Sequence, residues 1–219
     1  MYIVIVGGGQ VGLYLAREFI ERGHEVLVIE EDVKQRERLD EELGEITLSG
    51  EGCRIQCLDE AGVSRADVFV AATDVDEDNL AACQLAKLKY QVPMVVAKLN
   101  NPRNRNIFRK LGIESTVDVA ALILENLKSL IPVFSFVRLL NVEAAEVDVV
   151  QVRVTESSPF ADKKLEDTGI AFLADSAFLI RVGSGPQLVS GSTGLLVGDQ
   201  LVCVLQRDLV ERLRTQVGE

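Results

Sequence analysis

The 219 residues are 47% apolar and 26% charged, as in ordinary globular proteins, and suffice for one large domain or two small ones. A net charge of −11, with no basic run or aromatic-studded basic patch, argues against nucleic-acid binding, which needs a positive face to neutralise phosphates. The longest apolar runs fall far short of a bilayer span, so any link to a membrane is expected to pass through another protein.

Residues Tyr2–Val6 open the chain as an unbroken apolar strand, buried on both faces in the manner of a central parallel strand. No charged segment, long apolar region or cleavage site of a signal peptide precedes it. The turn Gly7-Gly8-Gly9-Gln10-Val11-Gly12 follows and runs into a helically spaced segment through Ile20. In a G-x-G-x-x-G turn, Gly7 permits the tight exit from the strand and Gly9 clears space for a pyrophosphate. Gly12 lets the helix pack closely on the sheet. The helix then presents unpaired N–H groups to an anion. A second strand, Glu25–Ile29, ends at Glu30, 18 residues past Gly12, close to the spacing at which a carboxylate accepts hydrogen bonds from ribose hydroxyls. The competing reading is a tight turn that binds nothing; the combination of strand, turn, helix and acid favours a nucleotide site.

Further along, a charged helix over Asp32–Leu43 is closed by Gly44, and a third strand covers Glu45–Ser49. After the turn Gly50-Glu51-Gly52-Cys53 come a helix over Arg54–Ala61 and a fourth strand over Ala66–Ala72. A polar loop from Thr73 to Asn79 leads to a helix over Leu80–Tyr90 and a fifth strand over Met94–Leu99. A helix beyond Asn101-Pro102 places Ile107, Phe108 and Leu111 on one face. This alternation predicts a doubly wound parallel sheet of Rossmann type. The helix from Val119 to Ile131, stopped by Pro132, carries more apolar surface than one sheet face needs; ordinary core and packing on another subunit both account for it. Beyond it, Glu146–Val154, Ala177–Val182 and Leu201–Leu205 read as half-exposed antiparallel strands, and Arg207–Val217 as a final helix. The expected division is therefore 1–132 and 140–219, an α/β domain followed by a small α+β domain.

Candidate chemistry gathers behind the strands. Thr73, Asp74, Asp78 and Asn79 follow strand four, where strand ends line the crevice; Asp78 is equally suited to capping the next helix. Glu51 stands where an adenine edge would lie, or in a solvated turn. Lys98, near the end of a buried strand, calls for an anionic partner, phosphate or carboxylate. The one histidine, His24, falls in a turn at the opposite end of the sheet, away from any crevice. Cysteines 53, 57, 83 and 203 have no zinc spacing and read as reduced thiols of a cytoplasmic protein. No nucleophile elbow, P-loop lysine or metalloprotease motif occurs. A cofactor site is visible and catalytic machinery is not.

These motifs resemble the cytoplasmic regulatory subunits of Trk and Ktr potassium uptake systems, which share the RCK or KTN domain. The resemblance is carried by Ile3–Gly12, Gly23–Val26, Gly50–Gly52, Ala66–Asp74 with Asp78-Asn79, Val96–Lys98, Asn101-Pro102 and Phe108–Ile113. It extends more loosely to Ser158-Pro159 and Val197-Gly198-Asp199. It implies a non-catalytic switch: homodimers assembled into a ring under a membrane potassium channel or transporter, peripheral to the inner face of the membrane. NAD(H) is the implied nucleotide, with ADP or ATP as alternatives, because Gln10 stands where members that respond to ATP carry arginine. By this resemblance Gly7, Gly9, Gln10, Val11 and Gly12 hold the phosphates and Glu30 the ribose. Glu51 lies near the adenine, and Thr73, Asp74 and Lys98 line the ribose and phosphate side. The surplus apolar helix corresponds to the family's crossover helix. Asp118-Val119-Ala120 lacks the glutamate that helps hold a divalent ion in some relatives, so no metal is expected. The readings to set against this are an NAD(P)-dependent oxidoreductase and a nucleotide-sensing regulator of another transporter.

Overall fold

The structure is a computed structural model that describes residues 1–131, 134–142, 145–170 and 176–217, without the side chains of 125 and 129. It divides into two compact units, Met1–Ala121 and Leu122–Glu219. The proposed stop at Pro132 lies outside the described residues.

In the first unit, β1 (Tyr2–Val6), β2 (Glu25–Glu30), β3 (Thr47–Ser49), β4 (Val68–Ala71), β5 (Met94–Leu99) and β6 (Thr116–Asp118) form one parallel sheet in the order β3-β2-β1-β4-β5-β6. The helices α1 (Gln10–Glu21), α2 (Val33–Leu43), α3 (Ile55–Glu60), α4 (Asp76–Gln84) and α5 (Arg105–Lys110) connect them. All five residues of β1 are buried, and its side chains feed two apolar cores, one on each sheet face. Val4, Val6, Phe69 and Leu58 pack on one face, and Ile3, Ile5, Leu13 and Leu39 on the other. Such two-sided burial is what an uninterrupted aliphatic run codes for. From β1 the chain winds outward to β2 and β3, then crosses back to β4, so a topological switch falls between β1 and β4.

Three expectations need correction here. The helix after β4 starts at Asp76, four residues before Leu80, with Val75 at its cap position. Asp78 therefore stands in the exposed first turn and is not the cap. From Leu85 to Lys89 the same helix widens to a π-turn. On α5 only Phe108 enters the core, at 1% exposure, while Ile107 and Leu111 are 50% and 45% exposed. Adjacent helical residues lie 100° apart, and a helix of six residues at the sheet's side turns one position inward. The charge is unevenly spread along the chain. Seven bases and no acid stand between Leu80 and Ile113, and Lys87, Lys89, Arg103, Arg109 and Lys110 among them are exposed.

The helix α6 (Val119–Leu130) begins in the first unit and enters the second. Buried Asp118 caps it, accepting from Ala121 N at 2.8 Å. Leu122, Ile123, Leu124, Leu127 and Leu130 are all exposed.

The second unit is an antiparallel sheet in the order β10-β9-β11-β8-β7, formed by β7 (Phe136–Val142), β8 (Val147–Arg153), β9 (Ser176–Ile180), β10 (Gln187–Leu188) and β11 (Gln200–Gln206), with α7 (Val210–Val217) on one face. Alternate residues Val150, Val152, Leu201, Cys203 and Leu205 point into that core, the period-two pattern of a sheet covered on one side. Buried Asp199, before β11, accepts from Arg181 Nε at 2.8 Å and from Leu196 N at 2.8 Å, closing the Val197-Gly198 turn.

Candidate nucleotide site

The carboxyl ends of β3, β2, β1, β4 and β5 bring the expected residues to one edge of the sheet. Gly7 leaves β1 at φ +100°, and a Cβ there would sit 2.9 Å from Thr73 N, so only glycine fits where the two chain turns cross at the switch point. A Cβ on Gly12 would run into the Gly7 carbonyl oxygen, which is why α1 packs so close beneath the turn. Gly9 is different: a Cβ there meets only Gln35 Oε1, at 3.8 Å. The space above Gly9 is open on the side where a diphosphate lies in folds of this class. Gln10 and Val11 begin α1, both exposed.

The middle glycine, absent from the sequence-based assignment, has a distinct job. Gly8 N donates to Glu30 Oε2 at 2.5 Å, and a Cβ on Gly8 would press on Leu39 Cδ1 at 2.6 Å. The other oxygen, Glu30 Oε1, accepts from Asp32 N at 2.8 Å. The buried Glu30 side chain thus fastens the end of β2 to the glycine turn and presents its carboxylate at the lip of the site. Gly7, Gly9 and Gly12 fill the motif's spacing and Gly8 falls at its free position, so only the packing of Leu39 and Glu30 shows why glycine stands there.

Beyond β3, Gly52 lies tight against Val6 and Gly50 against Cys57. This turn forms one wall of an open depression of about 300 Å³ lined by Glu31, Ser49, Gly50, Glu51, Arg54, Gln56, Cys57 and Glu60. Glu51 chelates Arg54 with both oxygens, at 2.8 and 2.7 Å. Hydrogen bonding to Arg54 holds the Glu51 carboxyl below its ordinary range, and the same bond raises the Arg54 guanidinium.

Past β4, the loop is built on two buried polar side chains that sequence periodicity did not find. Asn79 Oδ1 accepts from Thr73 N at 2.9 Å and Thr73 Oγ1 at 2.8 Å, while its Nδ2 donates to Thr73 O at 3.0 Å and Lys98 O at 3.1 Å. Asp76 accepts from Asn100 N, Asn100 Nδ2, Asn101 N and Asn104 Nδ2, at 2.7 to 3.0 Å. Burial pushes the Asp76 carboxyl up, but these four donors outweigh it and hold it below the ordinary value. The partner expected for Lys98 is a carboxylate of this same loop: its Nζ lies 2.6 Å from Asp74 Oδ1, with the lysine side chain 12% exposed and the aspartate 96%. The signal for Asp76 and Asn79 is their spacing of three, which places both on one face of the first turn of α4.

A parallel sheet with a glycine-rich first turn, an acid closing the second strand and a crevice at the strand-order switch defines a Rossmann-type domain, here followed by a small antiparallel unit. Residues 3–119 match the family model of the TrkA-N domain, and the chain belongs to this family. It is 30% identical over 217 residues to the Trk system potassium uptake protein TrkA of Streptomyces coelicolor, covering 97% of this chain and 94% of that one. A TrkA homolog of Methanothermobacter thermautotrophicus is 43% identical over 117 residues, covering 53% of this chain and 54% of the relative. Among solved structures, a GsuK channel bound to NAD aligns at a TM-score of 0.64 and 21% identity, covering 100% of this chain and 39% of that one. That likeness confirms the expected fold. Among the described residues no helix is long and apolar enough to cross a membrane.

Proposed function

We propose that the chain is the nucleotide-sensing regulatory subunit of a membrane potassium channel or transporter, binding NAD(H) at the edge formed by the glycine turn and Glu30, with ADP or ATP as alternative ligands. The observation that carries this reading is the open space above Gly9, framed by two glycines whose Cβ positions are blocked and by the Glu30 carboxylate held on Gly8 N. Gly9, Gln10 and Val11 would offer main-chain N–H groups and the positive end of α1 to the phosphates. Glu30 would take the ribose hydroxyls, and Glu51 the adenine side. Thr73 and the Lys98–Asp74 pair border the crevice from the other strand ends. The nucleotide would supply charge and shape, not chemistry; the chain's residues hold it and register its presence. The family membership, and the names of relatives that match along nearly their whole length, support the transporter assignment.

The exposed aliphatic stripe of α6 supports a homodimer, and further pairing of dimers would form the ring to which a transporter responds. Such a subunit acts at the cytoplasmic face, held there by its partner. A ligand moves such an assembly only by its difference in affinity for two shapes, and each tenfold difference supplies about 1.4 kcal/mol per site. The test is calorimetry with NADH, NAD⁺, ADP and ATP on the wild type and Glu30→Ala. Binding that weakens at least tenfold in the variant is expected; equal affinity would remove Glu30 from the site, and no binding by the wild type would remove the sensor reading altogether.

A further inference from the structure

The depression next to Glu30 bears on which adenine nucleotides the site admits; this inference rests on the nucleotide-binding reading above. Ser49 pairs in register with Glu30, and Gly50 N donates to Glu30 O at 3.3 Å, so the turn carrying Glu51 and Arg54 lies beside the ribose-binding acid. Four charged side chains line the hollow there: Glu31, Glu51 and Glu60 against the single cation Arg54. An arginine in this neighbourhood is what a site needs to accept a 2′-phosphate. Here, however, the edge of the guanidinium formed by Nε and one NH₂ is already taken by Glu51.

We propose that Glu51 and Arg54 form a specificity pair: Glu51 withholds Arg54 from the ribose edge, so the site accepts adenine nucleotides with a free 2′-hydroxyl and rejects those carrying a 2′-phosphate. The argument is one of charge balance. A 2′-phosphate brings roughly two negative charges into a hollow whose lining is already net acidic, next to Glu30, and the one cation of that lining is engaged. Like charges at such range disfavour binding, and the penalty is largest at low ionic strength. The Glu51–Arg54 pair is itself solvent-exposed, 42% and 67%, and contributes little to stability. Removing Glu51 therefore frees a latent phosphate ligand at little structural cost. The pair's consequence is selective, not structural.

The test is competitive calorimetry with NADH and NADPH on the full chain. The wild type is expected to prefer NADH by at least tenfold, with the preference shrinking as salt rises from 50 to 500 mM. In Glu51→Gln the ratio of the two affinities should fall at least fivefold, through tighter NADPH binding. In Glu51→Gln/Arg54→Ala the preference should return. Equal affinity of the wild type for both dinucleotides would overturn the proposal, as would a ratio in Glu51→Gln that matches the wild type. A wild type that binds ADP or ATP but neither dinucleotide would also overturn the proposal, whereas one that binds none of the four would bring down the nucleotide reading itself, a separate and distinguishable failure.

Discussion

Asn79 offers the sharpest test of how the crevice is built. Its side chain is fully buried and makes four hydrogen bonds. After Asn79→Ala, Thr73 O keeps a donor in Asn100 Nδ2, and Thr73 Oγ1 still reaches Val75 O. Thr73 N and Lys98 O lose the partner shown for them, and a buried group left unpaired costs about 1–3 kcal/mol. Taken with the lost packing, the variant should be destabilised by about 3 kcal/mol. At about 2–4 °C per kcal/mol for a chain of this size, the melting temperature should fall by roughly 6–12 °C. Asn79→Asp is the informative control. It conserves volume and the acceptor for Thr73, yet turns a second carboxylate oxygen toward the carbonyls of Thr73 and Lys98. If hydrogen bonding governs, Asp is at least as damaging as Ala at pH 7 and recovers on acidification, when a protonated carboxyl donates to one carbonyl. If volume alone governs, Asp is the milder change. Differential scanning calorimetry at pH 5 and 7 separates the two, and an Asn79→Ala melting temperature within 2 °C of wild type would refute the reasoning.

Three other outcomes are expected. Gly12→Ala forces a methyl onto the Gly7 carbonyl, an overpacking cost of about 1–3 kcal/mol; calorimetry should show roughly tenfold or weaker nucleotide binding, and unchanged affinity would contradict the close approach. Asp76 has a depressed pKa, so its stabilising contribution is full above the unfolded carboxylate value of about 3.9 and is lost as pH falls through the lower folded value. Urea denaturation should accordingly show Asp76→Asn less stable than wild type at pH 7, with the gap closing as pH falls below the unfolded carboxylate value; a constant gap would discount the network. Ile123→Asp/Leu127→Glu, on the exposed stripe of α6, should lower the mass measured by light scattering with nucleotide binding retained. An unaltered mass would place the subunit contact elsewhere.

What the sequence made legible was whatever rests on backbone necessity. The glycine turn and the aliphatic β1 are visible because few other residues satisfy a crossing of chains or a doubly buried strand. What stayed hidden rests on tertiary partners. The first turn of α4 reads as a polar loop because Asp76 and Asn79, both inward-facing, satisfy their polarity against backbone that arrives from Lys98 to Asn101. Periodicity assumes that inward means apolar, and here it does not. The strand β6 is three residues long, and β7 carries a bulge between Arg138 and Leu140 that breaks its alternation. The exposure of Ile107 and Leu111 depends on where α5 lies against the sheet, which no local pattern records. Lys98 was correctly recognised as needing an anion, but which anion was a matter of loop geometry.

The four thiols fall into very unequal surroundings. Cys83 and Cys203 are wholly buried, with burial driving both thiols to a pKa of about 12, and Cys57 is buried and also raised. Cys53 alone is partly open to solvent, two residues from Glu51. Because thiolates are the reactive form, a maleimide dye offered to the native protein will settle on Cys53 with no mutagenesis. The unaltered chain thereby carries a ready optical handle at the rim of the hollow, where dye emission would follow ligand arrival in real time.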